Sequence, residues 1–279
     1  MGRDREALGR DGGLMTGTAR RTVLLAQEQH TLEVTAEGPD DGPPLVMLAS
    51  SQRDPGDFDD SAGLLAAAGF RVLRPWPRGM GASNGTLDGL SLYTLAADAV
   101  FALQHLSSGQ PAIWLGHAFG HFVARVADLA HPAWVRGVVV AAAAARTFPA
   151  HVPSTLATAS DTSQPDALRL AALREGFFAP GNDPGPWLHG WHPAVRAAYK
   201  AAGAVPDKNL WWPVAHAPIL DLQAAQDPWR PPETRGELRD ALGDLVTVRV
   251  IDNASHALLV EQPRAVAEAV LDWVDSAAI

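Results

Sequence analysis

The sequence has no cysteine, which excludes disulfides, thiolate chemistry and cysteine-based metal sites together. It has no basic stripe, and a formal charge of -9 argues against a nucleic-acid surface. No apolar run approaches the roughly 20 residues that span a bilayer, so no membrane partner is expected. Internal repeats are absent as well. The opening stretch MGRDREALGRDGGLMTGTARR lacks the apolar segment of a secretory signal. Residues 1–20 therefore read as a flexible tail, with Met15 an alternative start. These absences fit a reducing compartment, and a cytoplasmic location is expected.

Apolar mass is what the chain has. Hydrophobic residues make up 47% and charged residues 19%, enough for a sizeable core. At 279 residues the chain suits one domain carrying an insertion. Short apolar runs alternate with amphipathic stretches, the pattern of an α/β protein with a parallel sheet covered by helices. A hairpin is expected over 22–25 and 31–35. Strands follow at 44–48 (PLVML), 70–74 (FRVLR), 113–115, 135–141 (VRGVVVA), 218–222 and 246–251. Helices are expected at 61–68, 90–106, 119–130, 233–242 and 263–274. Between 147 and 216 the alternation breaks, and Pro, Trp, His and Ala dominate. A structureless loop of that length is improbable, so the segment reads as a helical lid inserted into a core of 21–146 and 217–279, with helical pieces at 165–175 and 193–202.

The most telling absence is one oxygen atom. In WLGHAFGH, residues 114–121, an apolar run enters Gly116-His117-Ala118-Phe119-Gly120 and a helical period follows. A strand that turns straight into a helix holds its central residue in a strained conformation and needs small neighbours. Gly116, Gly120 and Ala118 meet that need, but alanine has nothing to attack with. His117 and His121 read as structural residues beside the turn. Further on, LQAAQDPWRPPE sets Asp227 after a strand, and IDNASHALLVEQP sets His256 after the last one. Residues 141–146 hold no carboxylate. Asp221, inside an apolar run, implies either that it faces the end of the sheet or that the strand is shorter.

Three such motifs in this order resemble the α/β-hydrolase fold family, over nearly the whole chain after residue 20. The resemblance implies a mainly parallel sheet with flanking helices and an inserted helical lid. It gives Ala118 the nucleophile position, Asp227 the acid and His256 the base. It also implies two converging backbone N–H groups, from Phe119 and Ser51, that would hold an oxyanion. Where many relatives carry His-Gly after this strand, the chain has Ala49-Ser50-Ser51-Gln52-Arg53. Ser50 and Ser51 read as substrate-binding residues or, in a second reading, one of them as a displaced nucleophile; loop serines also cap turns. Arg53 reads either as a residue that holds an anionic group or, more simply, as an exposed loop arginine. The run RPWPRGMGAS, 74–83, resembles the family's Arg-Gly-x-Gly-x-Ser segment with Trp76-Pro77 in place of an acidic residue. Its Arg78, Gly79, Gly81 and Ser83 are expected to form a turn supporting the oxyanion loop. Trp187, Trp191 and Trp212 either line an apolar substrate wall or cement the lid. His189 and His192 stand three apart but lack a third ligand, so no metal is expected, and no cofactor.

Three readings of the missing oxygen remain open. Ala118 is an engineered replacement of serine in an ester or lactone hydrolase. Alternatively it is native, and His256 with Asp227 acts as a base on water or on a substrate proton, as a hydrolase or a cofactor-free lyase would. In the third, the fold is a ligand-binding module without catalysis. A dead site has no physical need of Asp227 and His256, so the expectation is a hydrolase-like enzyme acting on a small, largely apolar ester or lactone, with self-association to a homodimer left open.

Overall fold

The computed structural model describes residues 20–27, 29–142, 145–277 and 279. Apart from Arg20, the expected tail lies outside the described residues. The chain opens with a hairpin of β1 (Arg21–Gln27) and β2 (His30–Glu37). There follow β3 (Pro44–Leu48), α1 (Asp59–Ala67), β4 (Arg71–Pro75), α2 (Leu92–Leu106), β5 (Ala112–His117), α3 (Phe119–Ala130) and β6 (Val135–Ala141). Four helices come next, α4 (Val152–Ser160), α5 (Asp166–Gly176), α6 (Arg196–Ala202) and α7 (Lys208–Trp211). The chain closes with β7 (Ile219–Ala224), α8 (Glu237–Leu242), β8 (Val246–Ile251), α9 (Leu258–Glu261) and α10 (Pro263–Ala277).

One sheet runs in the order β1-β2-β4-β3-β5-β6-β7-β8. The pairs β1·β2 and β2·β4 are antiparallel, and every pair from β4·β3 to β7·β8 is parallel. The parallel strands therefore all deliver their C-terminal ends, and the loops after them, to one edge, where open α/β sheets bind ligands.

Strand periodicity divides the core. Leu45, Met47, Ile113, Leu115, Val139 and Leu220 pack on the side of α1 and α10, with Phe58, Leu65, Val270 and Trp273. Val46, Leu48, Trp114, Val138 and Val140 face α2 and α3, with Leu95, Val123 and Val126. β5 is buried along its whole length, as a central strand covered on both faces must be. A third cluster joins Val152, Leu173, Phe177, Phe178, Trp187 and Trp191 of the segment between β6 and β7 to Trp229 and Ala257 of the core.

Two expectations need correction. β7 is longer than its apolar run, and Asp221 lies fully buried in the middle of it. Its charge is answered there by Arg230 Nη2 at 3.0 Å and Gln223 Nε2 at 2.8 Å, so a buried ion pair, and not a short strand, explains the carboxylate. The helix expected from 233 starts at 237, because Pro231 and Pro232 set a 3-10 turn over Pro232–Thr234 first. Helices α4, α7 and α9 carry too little period to have been anticipated.

Candidate active site

Ala118 sits where β5 ends and α3 begins, with φ 46° and ψ -114°. A side chain in that region costs about 1–3 kcal/mol and persists only where its surroundings enforce it. Here they do. The Ala118 N–H donates to the Ala141 carbonyl at 2.9 Å, and its own carbonyl accepts from the His121 N–H at 3.0 Å and from His121 Nδ1 at 2.6 Å. A Cβ on Gly116 would lie 2.3 Å from the His121 nitrogen, and one on Gly120 would lie 2.0 Å from the Leu48 carbonyl oxygen. The elbow is thus pressed against the end of β3. Gly120→Ala is expected to cost at least about 3 kcal/mol in chemical denaturation, since backbone and not a flexible side chain must yield. A loss under about 1 kcal/mol would show that β3 and α3 separate easily, contrary to this packing.

The two elbow histidines are structural, as their sequence positions suggested. His117 is buried, and its Nε2 donates to the His256 carbonyl at 2.7 Å, which fixes the tautomer because a carbonyl only accepts. Burial pushes its imidazole down to about 3, with the charges of His256 and Arg53 adding. His121 is held well below the ordinary histidine range by burial and then by the nearby Lys208 and Arg125 cations.

Asp227 follows β7, and its Oδ1 accepts from the Trp229 N–H at 2.9 Å. His256 Nδ1 lies 3.2 Å from both Asp227 carboxylate oxygens. The proton on Nδ1 therefore points at the carboxylate, leaving Nε2 as an acceptor with no partner among the described residues. His256 is 5% exposed, and its ring is walled by Trp229, His117 and Phe177 at centroid distances of 5.0, 5.4 and 5.6 Å. Its loop is tied down through Ser255, whose N–H meets Glu261 Oε2 at 2.7 Å, and through the Ala257 N–H, which donates to the Phe177 carbonyl at 2.8 Å. Trp229, two residues after Asp227 in the quoted motif, is the wall that sequence reasoning missed.

After β3 the chain turns through Ala49–Arg53. The Phe119 N–H, first in α3, and the Ser51 N–H have no partner among the described residues. Ser50 and Ser51 are half-buried, and no hydrogen bond links either hydroxyl to His256. Arg53 is not the exposed residue expected: it is 3% exposed, because Asp57 neutralises it and two tryptophan rings cover it.

The 74–83 run does form a turn, with the Gly79 N–H on the Ser83 carbonyl at 3.1 Å and Ser83 Oγ on the Trp76 carbonyl at 2.7 Å. Its outward bonds go elsewhere than expected. Ser83 Oγ receives the Glu33 N–H of β2, Arg78 pairs with Asp98 of α2, and the Tyr199 hydroxyl of α6 donates to the Arg78 carbonyl. A small apolar cavity of about 30 Å³ lies between this turn and the elbow, lined by Leu48, Ala49, Trp76, Phe119, Val123 and Tyr199 among others.

Of the three tryptophans singled out, Trp187 and Trp191 come together near the site, with the Trp187 ring 6.2 Å from that of His117. Trp212 does not. It packs beside Trp211 under Lys208, and its carbonyl accepts from Arg125 of α3. Among the described residues no group of three or more His, Asp or Glu side chains is placed to hold a metal, and no helix is long and apolar enough to cross a membrane.

Beside this geometry stands a sequence relationship: the family model of serine aminopeptidase, S33, in the Hydrolase_4 group, matches residues 53–263. The chain belongs to this hydrolase family. The match takes in Ala118, Asp227 and His256, while Ser50 and Ser51 lie outside it. No curated protein matches the chain. Among solved structures, an esterase from Thermogutta terrifontis superposes with a TM-score of 0.74 at 20% identity, covering 92% of this chain and 98% of that one. An esterase from Exiguobacterium antarcticum gives 0.71 at 22%, covering 88% and 96%, and a Bacillus subtilis carboxylesterase 0.71 at 15%, covering 94% of each chain. These likenesses show the fold. The S33-family member described here has the α/β-hydrolase fold, with Ala118 at the turn between β5 and α3.

Proposed function

We propose that this S33-family chain hydrolyses a small, largely apolar ester or lactone by direct attack of water, with His256 as general base and Asp227 as its orienting partner. The observation that carries the reading is the His256 ring, whose Nδ1 is held by both Asp227 oxygens while Nε2 has no partner among the described residues. Burying a carboxylate and an imidazole costs free energy, and a site that only bound an apolar ligand would not need them. The esterase neighbours support the same class.

In this mechanism the water oxygen attacks the carbonyl carbon while one of its protons passes to His256 Nε2. The carbonyl electron pair moves onto its oxygen, which takes hydrogen bonds from the Phe119 and Ser51 N–H groups. The imidazolium then returns the proton to the departing oxygen as the C–O bond breaks, giving an acid and an alcohol, or a hydroxy acid from a lactone. Alanine at 118 leaves the space beside Nε2 to the water. The segment 147–216 acts as the lid, with Trp187 and Trp191 as its wall.

Kinetics on a panel of short esters and lactones tests this. His256→Ala should lower kcat/KM at least about a hundredfold, the lower range for a general base. An unchanged rate removes the dyad from the chemistry. Silence from Ser50→Ala or Ser51→Ala alone would move the nucleophile to the loop, and tight ligand binding without turnover in the unmodified chain would make it a binding module.

A further inference from the structure

The loop after β3 is fastened to the lid segment by a short antiparallel clip. The Gln52 carbonyl accepts from the His192 N–H at 2.8 Å, the Asp54 N–H donates to the Gly190 carbonyl at 3.2 Å, and Arg53 bridges to Trp191 as in a sheet. Gly190 permits the approach, with φ +74° and a would-be Cβ only 3.0 Å from Asp54 Oδ2. Gln52 is bent into the left-handed region at φ 67°, which a non-glycine residue holds only under constraint. Arg53 supplies the constraint. Its guanidinium lies 4.5 Å from the Trp187 ring centroid and 4.7 Å from that of Trp191. Nε and Nη2 reach both oxygens of Asp57, with the Nε bond at 2.8 Å, and Nη1 caps the His189 carbonyl. A buried cation so fully answered is strong in place and costly to remove.

We infer that Arg53 is a positioning residue: bolted to Asp57 and plugged between Trp187 and Trp191, it holds the strained Gln52 turn and so aims the neighbouring Ser51 N–H at the reacting oxygen. The inference rests on the oxyanion role given to Ser51 above. It makes the Trp187–His192 stretch part of the catalytic frame, so that moving the lid there moves a hydrogen-bond donor.

Two measurements on Arg53→Met and Arg53→Lys test it. Hydrogen exchange over residues 48–54 should rise at least tenfold in Arg53→Met and less in Arg53→Lys, while 112–130 stays protected. In an Ala118→Ser background, phosphonate labelling, which builds an oxyanion, should slow at least tenfold in Arg53→Met. Alkylation of His256 by iodoacetamide, which builds none, should keep its rate. Unchanged exchange, or faster exchange with unchanged labelling, overturns the inference. So does an equal fall in labelling and alkylation, the mark of a general structural loss. An Ala118→Ser chain that takes no label with Arg53 intact sinks the reading of the dyad instead, and the exchange result then decides the clamp alone.

Discussion

Ala118→Ser is expected to turn a chain that takes no label from a serine-directed phosphonate into one labelled stoichiometrically. The elbow already holds residue 118 at φ 46° and ψ -114°, so serine brings no new backbone strain. Among the described residues His256 Nε2 is an acceptor without a partner, and the Phe119 and Ser51 N–H groups have none either. Loss of the serine from a hydrolase triad costs on the order of a millionfold in turnover. Supplying an oxygen at residue 118, beside the proposed Asp227–His256 dyad, should give at least about 10⁴-fold in cleavage of an activated ester, allowing for an imperfect oxyanion loop. His256→Ala added to Ala118→Ser should abolish the label. A well-folded Ala118→Ser chain that stays unlabelled would show that Nε2 does not face residue 118. Labelling of the unmodified chain would place the nucleophile elsewhere, with Ser50 and Ser51 first in line.

How legible the site was depended on whether its residues are specified locally. Gly116, Gly120 and the apolar run before them announce a strand-to-helix turn, because the constraint is steric and lies within five residues. Asp227 and His256 were readable as loop residues after strands, and the sheet brings them to one edge. Nothing in the sequence around Arg53 reveals its burial. Its covering rings come from Trp187 and Trp191, more than a hundred residues on, and only the tertiary clip shows them. Composition groups Trp212 with those two, yet the turn of α7 places it in the core on the α2 and α3 side of the sheet, bonded to α3. Asp221 looked anomalous for a similar reason: its answering charge, Arg230, lies beyond the end of the strand, in what reads as an ordinary loop.

Acid should destabilise this protein well above the pH at which its carboxylates protonate, because two histidines are folded in as neutral groups. His117 falls to about 3 through burial first, reinforced by the charges of His256 and Arg53, and His121 falls well below its usual range through burial, Lys208 and Arg125. In the unfolded chain both regain the ordinary value near 6.5. Between that pH and the folded values the unfolded state binds more protons, so stability rises with pH and is lost as pH falls below about 6.5. From pH 7.5 to pH 5 His117 alone should remove about 2 kcal/mol, roughly thirtyfold in the folding equilibrium, and His121 acts in the same direction. For a domain of this size the His117 contribution is a fall in Tm on the order of 5 °C. His117→Asn can keep a donor near the His256 carbonyl but cannot titrate. It should be less stable at pH 7.5 through imperfect packing, yet lose about 2 kcal/mol less stability on going to pH 5. Denaturation curves of both chains at the two pH values measure this directly. An equal loss in the two would mean that His117 is not the neutral, buried group on which the elbow and the His256 loop are joined.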